Sequence, residues 1–181
     1  MIRPLRISVA MATYDGAAFV EEQLESIAAQ SRPPDELLVV DDASNDDTVS
    51  RVEAFAARAA FTVRLERNPE NRSSTPTFER ALGLCTGGIV FFADQDDIWH
   101  EQKIATLAGV LEAHPGVGAV FSNGRVVDAA REPLGHGLWE ALWFDAHEQA
   151  RVRSGGAVEV LARHAVAAGT TLAFRASHRD L

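Results

Sequence analysis

Three short apolar runs, each closed by an acidic or polar loop, dominate the first half of the chain. Leu5 to Ala12 ends in Tyr14-Asp15-Gly16, and Glu36 to Val40 ends in Asp41-Asp42-Ala43-Ser44-Asn45-Asp46-Asp47. Ile89 to Ala93 ends in Asp94-Gln95-Asp96-Asp97. Compact apolar runs of this length read as strands buried on both faces, the pattern of a parallel sheet. Between them apolar residues recur at helical spacing: Val20, Leu24, Ile27 and Ala28, then Val49, Val52, Phe55 and Ala56, then Phe78, Ala81, Leu82 and Cys85. Strand and helix in alternation predict an α/β fold: a mostly parallel, Rossmann-like sheet with helices on both faces. Right-handed crossovers set the carboxyl ends of parallel strands along one edge, and ligands of open α/β sheets bind outside that edge. The three loops are therefore expected to line one crevice.

The remaining punctuation is local. Ser31-Arg32-Pro33-Pro34 ends the first helix, and Phe61 to Leu65 alternates like a short edge strand. Thr75 is placed to cap a helix with Pro76 at its first position, and Gly87-Gly88 stop it. A helix is predicted from Trp99 to His114, burying Ile104, Leu107 and Leu111, followed by a strand from Val117 to Phe121. Beyond Asn123 the signal weakens. Arg125 to Ala129 and Thr170 to Phe174 read as strands, and Leu138 to Ala150 is ambiguous. Trp99, Trp139 and Trp143 are read as packing residues.

Composition excludes several functions. With 17 basic and 26 acidic residues the net charge is −9, which argues against a duplex nucleic-acid partner. Cys85 is the only cysteine, so neither an internal disulfide nor a multi-cysteine zinc site is available. Lys103, the only lysine, follows no glycine-rich loop, which excludes a Walker-type phosphate site. No Gly-x-Ser-x-Gly element points to a hydrolase, and the six histidines show no metal-ligand spacing. The N-terminal apolar stretch is interrupted by Ser8 and lacks a small-x-small cleavage pattern, so a cytoplasmic protein is expected.

Carboxylates gathered at a ligand edge repel one another unless something neutralises them. A hard divalent ion, Mg²⁺ or Mn²⁺, does this with carboxylate oxygens and often bridges to ligand phosphates. Asp94 and Asp96 are the candidates to meet such an ion; the competing reading is a turn whose aspartates bond the backbone. Asp42 has a different candidate task. A carboxylate only accepts hydrogen bonds, so in a base pocket it would read the N3–H of uracil or thymine, a proton that cytosine lacks. Against this stands a capping role for Asp41, Ser44 and Asp47 at the next helix.

Ile-Ser-Val-Ala-Met-Ala-Thr-Tyr-Asp-Gly, Val-Val-Asp-Asp-Ala-Ser-Asn-Asp-Asp-Thr and Phe-Phe-Ala-Asp-Gln-Asp-Asp-Ile-Trp together resemble the family 2 inverting glycosyltransferases of GT-A fold, rhamnosyltransferase-like members above all. The resemblance covers residues 5 to 122, and Gly169 to Arg175 more loosely. It implies that Ala12, Thr13 and Tyr14 flank a nucleotide base that Asp42 bonds. It implies that Asp94 and Asp96 form a DxD element for Mn²⁺ or Mg²⁺, with Gln95 and Asp97 shaping the loop or touching the sugar. Arg72 would reach phosphate, unless it is a solvated surface arginine. Ser73 and Thr77 stand where family members often carry glycine and asparagine.

The implied activity is metal-dependent transfer from a UDP- or dTDP-sugar to a saccharide or lipid-linked acceptor, in bacterial cell-surface polysaccharide synthesis, with peripheral association at the inner membrane face. Residues 1–122 would be the nucleotide-sugar-binding half and residues 123–181 the start of an acceptor-binding half. An inverting enzyme needs a general base. By the resemblance it lies past the Gly169–Arg175 strand; His178 and Asp180 match no motif, so none is assigned, and the chain is expected to be the N-terminal portion of a larger enzyme. The alternative is a nucleotide- and metal-binding fragment that transfers nothing. A phosphoacceptor receiver domain ranks third, since Thr13-Tyr14-Asp15 lacks the acidic pair it needs.

Overall fold

The computed structural model describes residues 4–163 and 166–178. It divides into two compact units, one running up to Val120 and resuming at Ala173, the other formed by Phe121–Leu172. In the first unit the parallel strands β1 (Ile7–Thr13), β2 (Glu36–Asp41), β3 (Thr62–Arg67) and β4 (Ile89–Ala93) alternate with helices α1 (Val20–Ala28), α2 (Thr48–Ala56) and α3 (Ser74–Leu84). Helix α4 (Lys103–Ala113) and strand β5 (Ala119–Phe121) follow. A later strand, β8 (Leu172–Arg175), returns antiparallel beside β4, completing the sheet order β3-β2-β1-β4-β8-β5. The mostly parallel sheet matches the sequence expectation, and β3 lies at its edge.

Alternation along the strands loads both faces. Ile7, Val9 and Met11 of β1 join Leu37, Val39, Ile89 and Phe91 in one core with Val20, Leu24 and Ile27 of α1, Val52 and Phe55 of α2, and Ile104, Leu107 and Leu111 of α4. The intervening residues Ala10, Leu38, Val40 and Val90 are fully buried on the other face. There α3 packs on β1 and β2, and Phe78 meets Phe92 edge-on at 5.4 Å.

Two helix starts differ from expectation. Helix α3 begins at Ser74 behind Ser73, so Thr75 is inside it and is not the cap. Helix α4 begins at Lys103, four residues after Trp99, because the preceding loop is held from outside. Gln30 Nε2 donates to the His100 carbonyl (2.8 Å), and Gln30 Oε1 accepts from the Ile104 N–H (3.0 Å), satisfying a helix donor from another element.

The second unit holds a hairpin of β6 (Arg125–Val127) and β7 (Pro133–Gly137), then α5 (Leu138–Ala141), α6 (Ala146–Arg151) and α7 (Ala157–Arg163). The ambiguous stretch resolves into α5 and α6, with Asp145 accepting from the His147 and Glu148 amides to start α6. Trp139 packs against Phe121 (5.9 Å) and Phe144 (5.1 Å), whereas Trp143 is 81% exposed and packs in no core. Among the described residues, no helix is long and apolar enough to cross a membrane. Asp180 lies outside the described residues.

At the amino edge of the sheet, a buried carboxylate staples three elements. Glu36 Oε1 accepts from Ser8 Oγ (2.5 Å) and from the Thr86 amide (2.6 Å) and hydroxyl (2.9 Å). Burial pushes the Glu36 carboxyl up, but these hydrogen bonds outweigh it and hold the group below its ordinary value. Glu112, bonded by Arg32 and by the Leu5 amide, is likewise held low, as are Asp42 and Asp46. A carboxyl depressed in the folded state contributes stability that is complete above its unfolded value and is lost as pH falls through the folded one. These carboxyls therefore predict a urea midpoint that falls as the pH drops below the ordinary glutamate value of 4.5. Equal midpoints at pH 7 and at acid pH near 3 would contradict this.

Candidate functional site

The register of the parallel strands decides where the loops meet. Thr13 is opposite Asp41 and Met11 is opposite Ala93, so the chain leaves β1, β2 and β4 at the same edge. The loops and the start of α3 enclose a cavity of about 290 Å³ lined by Ala12, Thr13, Tyr14, Asp42, Asn71, Ser73, Ser74, Thr77, Phe78, Asp94, Gln95 and Asp96. Seven of the eight residues singled out from sequence line it. Arg72 does not; its side chain is exposed, and it enters the site through its backbone.

The two aspartates after β2 have separate tasks. Asp41 is fully buried and accepts from Thr13 Oγ1 (3.1 Å), the Ser44 amide (3.0 Å) and Ser44 Oγ (2.5 Å), with Arg67 Nε at 3.4 Å. It ties the β1 and β2 exits together. The helix-start role falls to neither Asp41 nor Asp47. Asp46 accepts from the Thr48 amide (2.9 Å) and, across the crevice wall, from the Ala17 amide (2.9 Å).

Asp42 is 3% exposed yet lines the cavity. Its Oδ1 accepts from Asn68 Nδ2 (2.6 Å), and the Arg72 amide bridges both oxygens at 2.9 and 3.0 Å. Burial raises its pKa, and these hydrogen bonds more than reverse that, so the group stays an ionised acceptor.

Gln95 fastens the acidic loop to the first loop. Its Oε1 accepts from the Tyr14 amide and its Nε2 donates to the Tyr14 carbonyl, both at 2.9 Å. Gly16 makes room for this clasp: a Cβ there would fall 2.1 Å from Gln95 Oε1. Replacing Gln95 by alanine removes two partly solvated hydrogen bonds, an expected cost of about 1 kcal/mol. The matching observation is faster amide exchange at Tyr14; unchanged protection would contradict the clasp.

In the acidic loop Asp96 is exposed and Asp94 half-buried. The Lys103 ammonium lies 3.9 Å from the centroid of the Trp99 ring. Burial pulls its pKa down to about 7, against Asp97 and Asp94, which hold it up. Among the described residues, no group of three or more His, Cys, Asp or Glu side chains could hold a metal. Asp94 and Asp96 nevertheless fit a hard divalent ion. They present oxygen only, and Mg²⁺ or Mn²⁺ commonly takes one or two carboxylates and completes its shell with water and ligand phosphates.

The α3 side of the cavity was not legible from sequence. Asn71, Ser73, Ser74, Thr77 and Phe78 line it, and Asn68 holds Asp42. The available signal was the unbroken polar run from Asn68 to Ser74 ahead of a helix. Ser73 sits at φ 72° and ψ 171°, a region essentially reserved for glycine. Ser73→Gly is expected to stabilise the protein by about 1 kcal/mol, seen as a higher urea midpoint. A lower midpoint would show that the serine is not strained.

The model of the family described as Glycosyl transferase family 2 matches residues 8–165. The chain belongs to this family. The dTDP-rhamnosyl transferase RfbG of Shigella flexneri is 32% identical over 98 residues, 52% of this chain and 34% of RfbG. Among solved structures, the mannosyltransferase PcManGT from Pyrobaculum calidifontis in complex with GDP-Man and Mn²⁺ superposes with a TM-score of 0.62 at 34% identity, covering 70% of this chain and 36% of that one. Residues 1–349 of TarS from Staphylococcus aureus in complex with UDP give 0.59 at 26%, covering 68% and 38%. These fix the family 2 domain as GT-A in fold. The chain spans about two fifths or less of the length of the relatives it matches.

Proposed function

We propose that this family 2 domain binds a UDP- or dTDP-sugar with a divalent cation. Its sugar passes, with inversion, to a saccharide or lipid-linked acceptor in the synthesis of bacterial cell-surface polysaccharide. The observation that carries this is the convergence of Asp42, the Tyr14 loop and the Asp94–Asp96 loop on one cavity at the carboxyl edge. In this reading Thr13 and Tyr14 flank the base, and Asp42 accepts its N3–H. Asp94 and Asp96 hold Mg²⁺ or Mn²⁺, which when bound supplies positive charge at the departing diphosphate. Gln95 keeps the acidic loop closed against Tyr14, and Arg72 offers its exposed guanidinium to phosphate. No residue is assigned as the base for the acceptor hydroxyl. The proposal places the protein in the cytoplasm, working at the inner membrane face.

TarS binding UDP and PcManGT binding GDP-Man with Mn²⁺ support a nucleotide and metal here, and they differ in the base. Thermal shifts with UDP, dTDP, CDP and GDP in Mn²⁺ separate the possibilities. UDP and dTDP are expected to raise the melting temperature well above CDP, which has no N3–H. Equal shifts with CDP would remove Asp42 from base reading, and a preference for GDP would reassign the donor.

A further inference from the structure

Lys103 occupies a position that general physics disfavours. It is the first residue of α4, where unsatisfied N–H groups and the helix dipole repel a cation. Its ammonium is also largely withdrawn from water, which penalises the charged form. Three features offset these costs. The indole face of Trp99 lies 3.9 Å away, and Asp97 and Asp94 both act on the ammonium as negative charges. Trp99 is itself 5% exposed, so the platform under the lysine is fixed in the core.

We infer that Lys103 is a positioning residue for the acidic loop, an internal cation that neutralises Asp94 and Asp97 and leaves exposed Asp96 as the carboxylate an incoming divalent ion meets first. This rests on the reading of that loop as the metal–diphosphate site. It implies weak intrinsic affinity for the ion, since a cation near Asp94 opposes a second one. The ion is then held firmly only when a diphosphate contributes oxygens.

The test is Mn²⁺ binding, followed by electron paramagnetic resonance at pH 6, with and without UDP, on the protein, Lys103→Met and Lys103→Gln. Methionine keeps an unbranched apolar stem against Trp99; glutamine keeps a donor without the charge. Both variants are expected to bind Mn²⁺ at least tenfold more tightly in the absence of UDP, and adding Asp94→Asn to either should abolish the gain. A role confined to packing would leave Mn²⁺ affinity unchanged, and unchanged or weaker binding in both variants overturns the inference. If the unsubstituted protein binds no Mn²⁺ even with UDP, the metal–diphosphate reading fails, and this inference with it.

Discussion

Asp96→Ala is expected to abolish Mn²⁺-dependent nucleotide binding while the fold persists. Asp96 is exposed, so its removal should change stability by no more than surface substitutions do, about 0.5 kcal/mol. The loss of a carboxylate that holds a divalent ion against a diphosphate is a different matter. It should weaken UDP binding in Mn²⁺ on the order of 100-fold, about 3 kcal/mol. Calorimetry of the variant in Mn²⁺ against the same titration in EDTA checks this. An affinity equal to that of the unsubstituted protein would remove Asp96 from the metal site, and an unfolded variant would give the residue a structural task that its exposure does not suggest.

Asp42→Ala is expected to damage both stability and selectivity. The carboxylate is buried and engages two donors, Asn68 Nδ2 and the Arg72 amide, from a loop that it pins beside the cavity. Alanine leaves both donors facing a void, at a cost of about 2–4 kcal/mol, or a fall of roughly 5–15 °C in melting temperature. The variant should also lose its preference for UDP over CDP, because the only acceptor proposed to read N3–H is gone. Asp42→Asn keeps the volume and one acceptor oxygen but loses the charge, and should restore part of the stability. Undiminished preference for UDP in the alanine variant would place base reading elsewhere.

Much of the fold was legible because burial leaves a plain mark on sequence. β1, β2 and β4 are almost wholly buried, so they appear as apolar runs, and the aspartates that close them stand out against that background. The position of those loops along one edge followed from the parallel run of the strands that they close. What sequence did not show was how the loops are held. Asn68 and Arg72 reach Asp42 from 26 and 30 residues away, and Gln95 reaches Tyr14 across 81. Such pairings have no local periodicity. Ser73 gives no residue-level sign of its positive φ, since serine is common in ordinary turns. Helix α4 was expected to begin at Trp99 because the apolar spacing extends back to it. The fold spends those residues instead on a loop anchored by Gln30 and by the Ser31 amide, which donates to the Glu101 carbonyl at 2.8 Å.

The most direct measurement is a calorimetric titration of UDP into the protein, first with Mn²⁺ and then with EDTA. Saturable one-to-one binding in Mn²⁺ that disappears in EDTA is the result expected of a cavity whose acidic loop meets a metal-bridged diphosphate. Binding of equal strength in both solutions would contradict the metal role of Asp94 and Asp96. Absence of binding by UDP and dTDP in either solution would contradict the proposal that this cavity is a nucleoside-diphosphate site.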